Sequence, residues 1–79
     1  MKYRLKTFGI AREIMGGKEI DLEMEGVRVG DLKAALGSRF PALKSLKSLL
    51  IAVNSEYAED GAELSEGDEI ALIPPVSGG

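Results

Sequence analysis

Glu69-Ile70-Ala71-Leu72-Ile73-Pro74-Pro75-Val76-Ser77-Gly78-Gly79 is the stretch on which the fold turns. Residues 69–73 are a short apolar run after the turn signal Glu66-Gly67-Asp68, which reads as a strand with Ile70 and Leu72 on one face and Ala71 and Ile73 on the other. Pro74 and Pro75 end it, because each fixes φ near −65° and lends no N–H to a ladder. The residues beyond the strand are expected to form a stiff, then flexible arm, about 13 Å long after Pro75 at ~3.3 Å per residue. Gly78 and Gly79 lack a Cβ, so the tip fits a channel too narrow for other residues. The reactive group at that tip is the α-carboxylate of Gly79. By itself a Gly-Gly end is also what a frayed terminus with no task looks like. The preceding chain has to decide between the two.

Working back from the terminus, Lys2 to Phe8 alternates, with Tyr3 and Leu5 on one side and Lys2, Arg4 and Lys6 on the other, as in a half-exposed strand. The same parity places Phe8 among the lysines. Either the strand stops and the ring tucks under, or Phe8 is an exposed contact. Ala11 to Met15 suits one or two helical turns stopped by Gly16-Gly17. Ile20, Leu22 and Met24 alternate with Glu19, Asp21, Glu23 and Glu25 in a second strand, whose acidic face complements the basic face of the first in an antiparallel pair.

From Val29 to Arg39 the period changes to three and four, with Val29, Leu32, Ala35 and Leu36 on one helical face. Phe40-Pro41 closes the helix. Arg28 stands where a capping Ser or Thr would serve, and Asp31 can still reach back to the backbone. Leu43 and Leu46 are expected to cover the core from a loop. Leu49 to Val53 is apolar throughout, as in a strand covered on both faces or one at an interface. Asn54-Ser55 turns the chain into a short strand at Glu56-Tyr57-Ala58, and Leu64 plugs one end of the core.

This order predicts one domain over residues 1–79, with 74–79 as the tail: an α+β fold in two layers, one main helix on one face of a mixed sheet. If the first and last strands lie side by side in parallel, the fold is a β-grasp and the tail leaves from the end of the sheet. Leu5, Ile20, Leu22, Leu32, Leu36, Ile70 and Leu72 then face the helix. Phe8, Ile73 and Tyr57 are left as candidates for the open face near the tail, where apolar residues rimmed by charge suggest a docking patch.

Composition narrows the function. The chain has 79 residues, 44% of them hydrophobic and 29% charged, with no cysteine and no histidine. There is thus no thiolate nucleophile, no Cys- or His-ligated metal site and no imidazole base, and a self-contained enzyme is disfavoured. Net charge is −3, with Glu56, Glu59, Asp60, Glu63, Glu66, Asp68 and Glu69 following the last basic residue, Lys47. That flank suits either a basic partner surface or plain solubility. An acidic chain without aromatics among its basic residues is a poor nucleic-acid binder. No signal peptide, prenyl motif or membrane span is evident, so the expected location is cytoplasmic.

Taken together, several pieces resemble the small, sulfur-carrying subunit of molybdopterin synthase, a MoaD-type ubiquitin-like protein. They are Phe8-Gly9, Ala11-Arg12-Glu13, Val29-Gly30-Asp31-Leu32, Ala52-Val53-Asn54, Gly67-Asp68-Glu69-Ile70 and Pro74-Pro75-Val76-Ser77-Gly78-Gly79. The resemblance implies that Gly79 is adenylated by an ATP-dependent activating enzyme and then thiocarboxylated, with Gly78 passing the channel. Phe8, Tyr57 and Ile73 would form the apolar docking surface, and Pro74, Pro75, Val76 and Ser77 would lie in the partner's groove. The partner would be the synthase large subunit, in a heterotetramer, where the sulfur is donated to cyclic pyranopterin monophosphate during molybdenum cofactor biosynthesis. No cofactor or metal would be bound by this chain, the ATP being used by the activating enzyme. Two alternatives share the fold and the Gly-Gly end: a thiamine-type sulfur carrier, and a ubiquitin-like modifier joined through Gly79 to lysines.

Overall fold

A computed structural model describes residues 1–46 and 48–75. Strand β1 spans Lys2–Thr7, helix α1 Gly9–Met15, strand β2 Glu19–Glu23, helix α2 Val29–Arg39, a 3-10 turn Pro41–Ser45, and strands β3 Leu50–Val53, β4 Glu56–Tyr57 and β5 Ile70–Ile73. The strands form one mixed sheet in the order β2-β1-β5-β3-β4, with β1 and β5 parallel at its centre and the other pairs antiparallel. The central parallel pair is the arrangement expected of a β-grasp.

The β1–β2 register explains why parity was readable there. Tyr3 faces Leu22 and Leu5 faces Ile20 on the core side, while Lys2, Arg4 and Lys6 face Glu23, Asp21 and Glu19 on the other. Arg4 Nε donates to Asp21 Oδ1 at 3.4 Å, an exposed pair worth at most about 1 kcal/mol. Most of the stabilisation lies on the core side, where Tyr3, Leu5, Leu22, Ile51, Ile70 and Leu72 are sealed beneath Val29, Leu32 and Leu36 of α2. Fully burying one such leucine or isoleucine contributes about 1.5–3 kcal/mol. Ile20 is only half-buried, at the β2 edge of the sheet.

Buried polar groups in this layer are matched. The Tyr3 hydroxyl donates to the Gly26 carbonyl at 3.1 Å, and the Thr7 hydroxyl donates to the Gly17 carbonyl. Burial first, and then the charges of Glu66, Asp31 and Asp68, push the Tyr3 hydroxyl above its ordinary pKa.

Helix α2 starts as its sequence suggested. The Arg28 amide donates to Asp31 Oδ2 at 3.2 Å, the half of a capping box that an arginine permits, since a guanidinium has no acceptor to return the bond. Instead Arg28 Nη1 reaches across to the Gly61 carbonyl at 2.8 Å, tying the helix start to the loop that leads to Leu64. Leu43, in the 3-10 turn, and Leu64 are buried plugs, and Leu46 packs against the core. Helix α1 ends at Gly16, whose φ of 82° is left-handed and whose N–H donates to the Arg12 carbonyl at 2.8 Å.

Strand β3 corrects one expectation. The apolar run over 49–53 is not covered on both faces: Ile51 is buried, but Leu50 is 48% exposed on the side away from α2. The interface alternative is the one that agrees with this exposure.

Candidate functional site

The open face of the sheet is assembled by strand register. Leu50 pairs with Ile73, Ala52 with Ala71 and also with Tyr57, and Lys6 with Ala71. All of these point away from α2, because their neighbours Ile51, Ile70 and Leu72 point into the core. Phe8 remains extended, with φ −134° and ψ 154°, so it continues the outward parity of Lys6 beyond the last residue of β1. The strand stops and the ring stays exposed, so each of the two sequence alternatives was half right.

Phe8, Ala52, Ser55, Tyr57, Glu69, Ala71 and Ile73 line one shallow depression of about 330 Å³. Phe8 is 43% and Tyr57 71% exposed, high for aromatic rings that share one concavity. Sequence parity anticipated Phe8 and Ile73 and was silent on Tyr57. It put Ala71 on the face of Ile73 without naming it a contact, and it missed Leu50 and Ala52. Their signal was present but indirect: once Ile51 is assigned inward, Leu50 and Ala52 must face outward.

The hairpin that presents Tyr57 is tight. Asn54 and Ser55 have φ of 51° and 70°, both left-handed, as a two-residue type I′ loop requires. Asn54 holds the loop to the start of β5: its Nδ2 donates to Asp68 Oδ1 at 3.1 Å and its Oδ1 accepts from the Glu69 amide at 3.0 Å. Asn54 thus ties Tyr57's hairpin to the strand carrying Ala71 and Ile73.

One ion pair borders the apolar floor. Lys6 Nζ donates to Glu69 Oε1 at 2.9 Å, with both side chains about half exposed. That hydrogen bond, and then the charge of Glu69, raises the lysine's pKa. Other acids of the flank have internal tasks. Asp60 pairs with Lys33 at 2.8 Å, Glu66 accepts from the Lys2 amide at 2.9 Å, and Asp68 accepts from the Ser65 amide at 2.8 Å. The charge bias after Lys47 is therefore partly structural.

Strand β5 runs from this depression into Pro74 and Pro75, both half-buried. Gly9 lies at the same end of the sheet: a Cβ there would stand 3.4 Å from Pro74 Cγ, and its φ is +52°. Pro74, the first tail position, is thus seated beside the β1–α1 turn. The sequence-derived site residues Val76, Ser77, Gly78 and Gly79 lie outside the described residues. Among the described residues no cluster of three metal-ligating side chains occurs, and no helix is long and apolar enough to cross a membrane.

The chain has relatives among known proteins along its whole length. The ThiS family profile matches residues 5–79. A molybdopterin synthase sulfur carrier subunit of Chlamydomonas reinhardtii is 39% identical over 83 residues, covering all of both chains. Small archaeal modifier protein 1 of Haloferax volcanii is 34% identical, covering 94% of this chain and 97% of its own. Among solved structures, a putative molybdopterin converting factor subunit 1 from Pyrococcus furiosus superposes with a TM-score of 0.84 at 31% identity, covering 96% and 99% of the two chains. The complex of subunits 1 and 2 of the molybdopterin-converting factor from Helicobacter pylori contains a chain matching at TM-score 0.67 and 26% identity over the full length of both. With its β-grasp fold and relatives that include molybdopterin synthase sulfur carrier subunits, the chain belongs to the ThiS family.

Proposed function

We propose that this chain is the sulfur carrier subunit of a molybdopterin synthase, acting in molybdenum cofactor biosynthesis through the carboxyl group of Gly79. The observation that carries this reading is that one strand, β5, bears the outward Ala71 and Ile73 of the apolar face and then continues into the proline pair that begins the tail. Docking that face would aim the tail. Full-length kinship with proteins named sulfur carrier subunits supports the choice of chemistry.

A carboxylate is ionised at pH 7, with a terminal pKa of ~3.3–3.7, and is a poor electrophile. An ATP-dependent activating enzyme overcomes this by joining AMP to the Gly79 carboxyl and releasing pyrophosphate. A protein persulfide attacks the acyl carbon, AMP leaves, and a thiol reductant cleaves the S–S bond, leaving the Gly79 thiocarboxylate. In the large subunit that sulfur attacks cyclic pyranopterin monophosphate. Phe8, Tyr57 and Ile73 form the docking surface, Pro74 to Ser77 lie in the partner's groove, and Gly78 passes its narrowest point. The catalytic groups belong to the large subunit, so this chain's part is presentation of the reacting atom. The Helicobacter pylori complex of subunits 1 and 2 supports a partner of this kind.

Intact mass tests the chemistry. Incubation with the activating enzyme, ATP and a sulfur source should raise the mass by roughly 16 Da as sulfur replaces oxygen. No change with a competent enzyme refutes the carrier reading. The kinship with small archaeal modifier protein 1 favours a second reading, conjugation through Gly79 to lysines. A ladder of higher-mass conjugates in lysate, lost on deleting Gly79, identifies that activity.

A further inference from the structure

The depression on the open face has a particular shape and polarity. Its floor is the directly paired Ala52 and Ala71, the smallest side chains on that face. Phe8 and Ile73 wall one end and Tyr57 one side. The Glu69 carboxylate lies at the other end, two residues before Ala71 on the same face. A flat apolar partner would leave the alanine floor unfilled, and a purely apolar side chain inserted there would desolvate Glu69, which Lys6 bonds at Oε1, without adding a donor for the carboxylate's second oxygen. The side chain that matches both features has an apolar stem, a planar face to lie against aromatic rings and a cationic end with fork-like donors. Arginine has all three.

We infer that the depression between Phe8, Tyr57 and Glu69 is a socket for a single arginine side chain of the docking partner. Its stem covers Ala52 and Ala71, and its guanidinium stacks beside Tyr57 and hydrogen-bonds to Glu69. This rests on the reading of the open face as the surface that binds the large subunit. Lys6 is the internal occupant of the same carboxylate, at 2.9 Å. Half exposed and bonded once among the described residues, it can be displaced from Glu69 by a second cation. Glu69 and Ile73 both face outward, about 13 Å apart along the strand at ~3.3 Å per residue. A cation fixed at Glu69 therefore sets the register of docking well upstream of the tail, where a small rotation would translate into a large displacement of the terminus.

The test measures the dissociation constant of the complex between the full chain and the large subunit at low and high salt, with four variants. Ile73→Asp reports on the open face as a whole. Ala71→Leu fills the floor, Glu69→Gln removes the charge without changing the shape, and Lys6→Gln frees the carboxylate. If the wild type does not bind, or Ile73→Asp binds equally well, the docking reading fails and the socket with it. Where Ile73→Asp weakens binding, the socket requires three further results. Ala71→Leu and Glu69→Gln should each weaken binding by about tenfold or more, and Glu69→Gln should also lessen the salt dependence. Lys6→Gln should tighten binding about two- to threefold, since it removes the competing cation. Melting temperatures close to wild type show that the folds are intact, as expected for outward-facing positions. Loss with Ala71→Leu but none with Glu69→Gln indicates an apolar knob and overturns the arginine. Weaker binding by Lys6→Gln overturns the competition and therefore the socket. A double-mutant cycle between Glu69→Gln and alanine replacement of each arginine on the partner's docking face should find one coupled residue, and none coupled refutes the assignment.

Discussion

Gly9→Ala isolates the junction between the first strand, the first helix and the root of the tail. At φ +52° a left-handed backbone costs an L-residue about 1–2 kcal/mol. Restricting the unfolded chain returns about 0.4–1 kcal/mol. Crowding adds little, because the new Cβ would stand 3.4 Å from Pro74 Cγ, at the edge of ordinary contact. The net loss is about 1 kcal/mol, which in a domain of this size lowers the melting temperature by roughly 4–8 °C. Thermal unfolding followed by far-ultraviolet circular dichroism reads it directly. Gly9→Asn, which tolerates the left-handed region, should fall between alanine and the wild type. Relief of the strain turns the backbone between Phe8 and Pro74, so the alanine variant should also dock less well than its stability loss explains. A melting temperature equal to or above that of the wild type would show that the turn adopts a negative φ. The seating of Pro74 against Gly9 would then be wrong as well.

The same geometry sets further outcomes. Ser55→Gly removes the left-handed strain at φ 70° and should raise the urea midpoint by an amount equivalent to about 0.5–1 kcal/mol, since only part of the strain relief is offset by backbone entropy. The Tyr3 hydroxyl has its pKa raised by burial, so its stabilising contribution is complete below about pH 10, the unfolded value, and is lost as pH rises through the higher folded value. Lys6, raised by its bond to Glu69, acts in the same direction. Urea midpoints measured on the alkaline side should fall with pH in the wild type and fall less steeply in Tyr3→Phe. An alanine appended after Gly79 should abolish the mass gain on incubation with the activating enzyme while leaving the melting temperature unchanged, and an undiminished gain would place the acceptor elsewhere in the chain.

How much of this was legible in the sequence depends on contrast between neighbouring residues. Lys2 to Lys6 and Glu19 to Met24 alternate polar with apolar, so one register satisfies both faces and their pairing could be read without coordinates. Helix α2 was legible from Val29, Leu32 and Leu36 and from the stop at Phe40-Pro41. Leu49 to Val53 carries no such contrast, and nothing in an all-apolar run says which residues face out. Its sidedness comes from pairing with β5, a contact across some twenty residues of intervening chain. Tyr57 was opaque for a related reason. A two-residue strand has too little parity to read, and its face is set by the type I′ turn at Asn54-Ser55. Phe8 was ambiguous because strand and turn meet there, and the left-handed Gly9 that decides the matter looks like any other glycine in the sequence.

The opposed sidedness of β5 and α2 explains how a chain this small could present a reactive end, as the proposed function requires. Every large side chain of α2 that faces the sheet is spent on closing one layer of core, over Leu5, Ile70 and Leu72. With one main helix, the other face of the sheet has no cover of its own among the described residues. In an ordinary domain that face would be polar throughout, as it is on β1 and β2, where lysine, arginine, aspartate and glutamate alternate outward. On β3, β4 and β5 it turns apolar, so the apolar half of the sheet begins at the strand that leads to the tail. Under the proposed function, burial of Phe8, Leu50, Tyr57 and Ile73 is left to a partner, and the free energy of covering them would hold the tail where it is needed. Moving the apolar outward positions to β2 should leave the fold and its core unchanged and uncouple docking from delivery. Such a variant would still bind apolar surfaces but would no longer bring Gly79 to a fixed place.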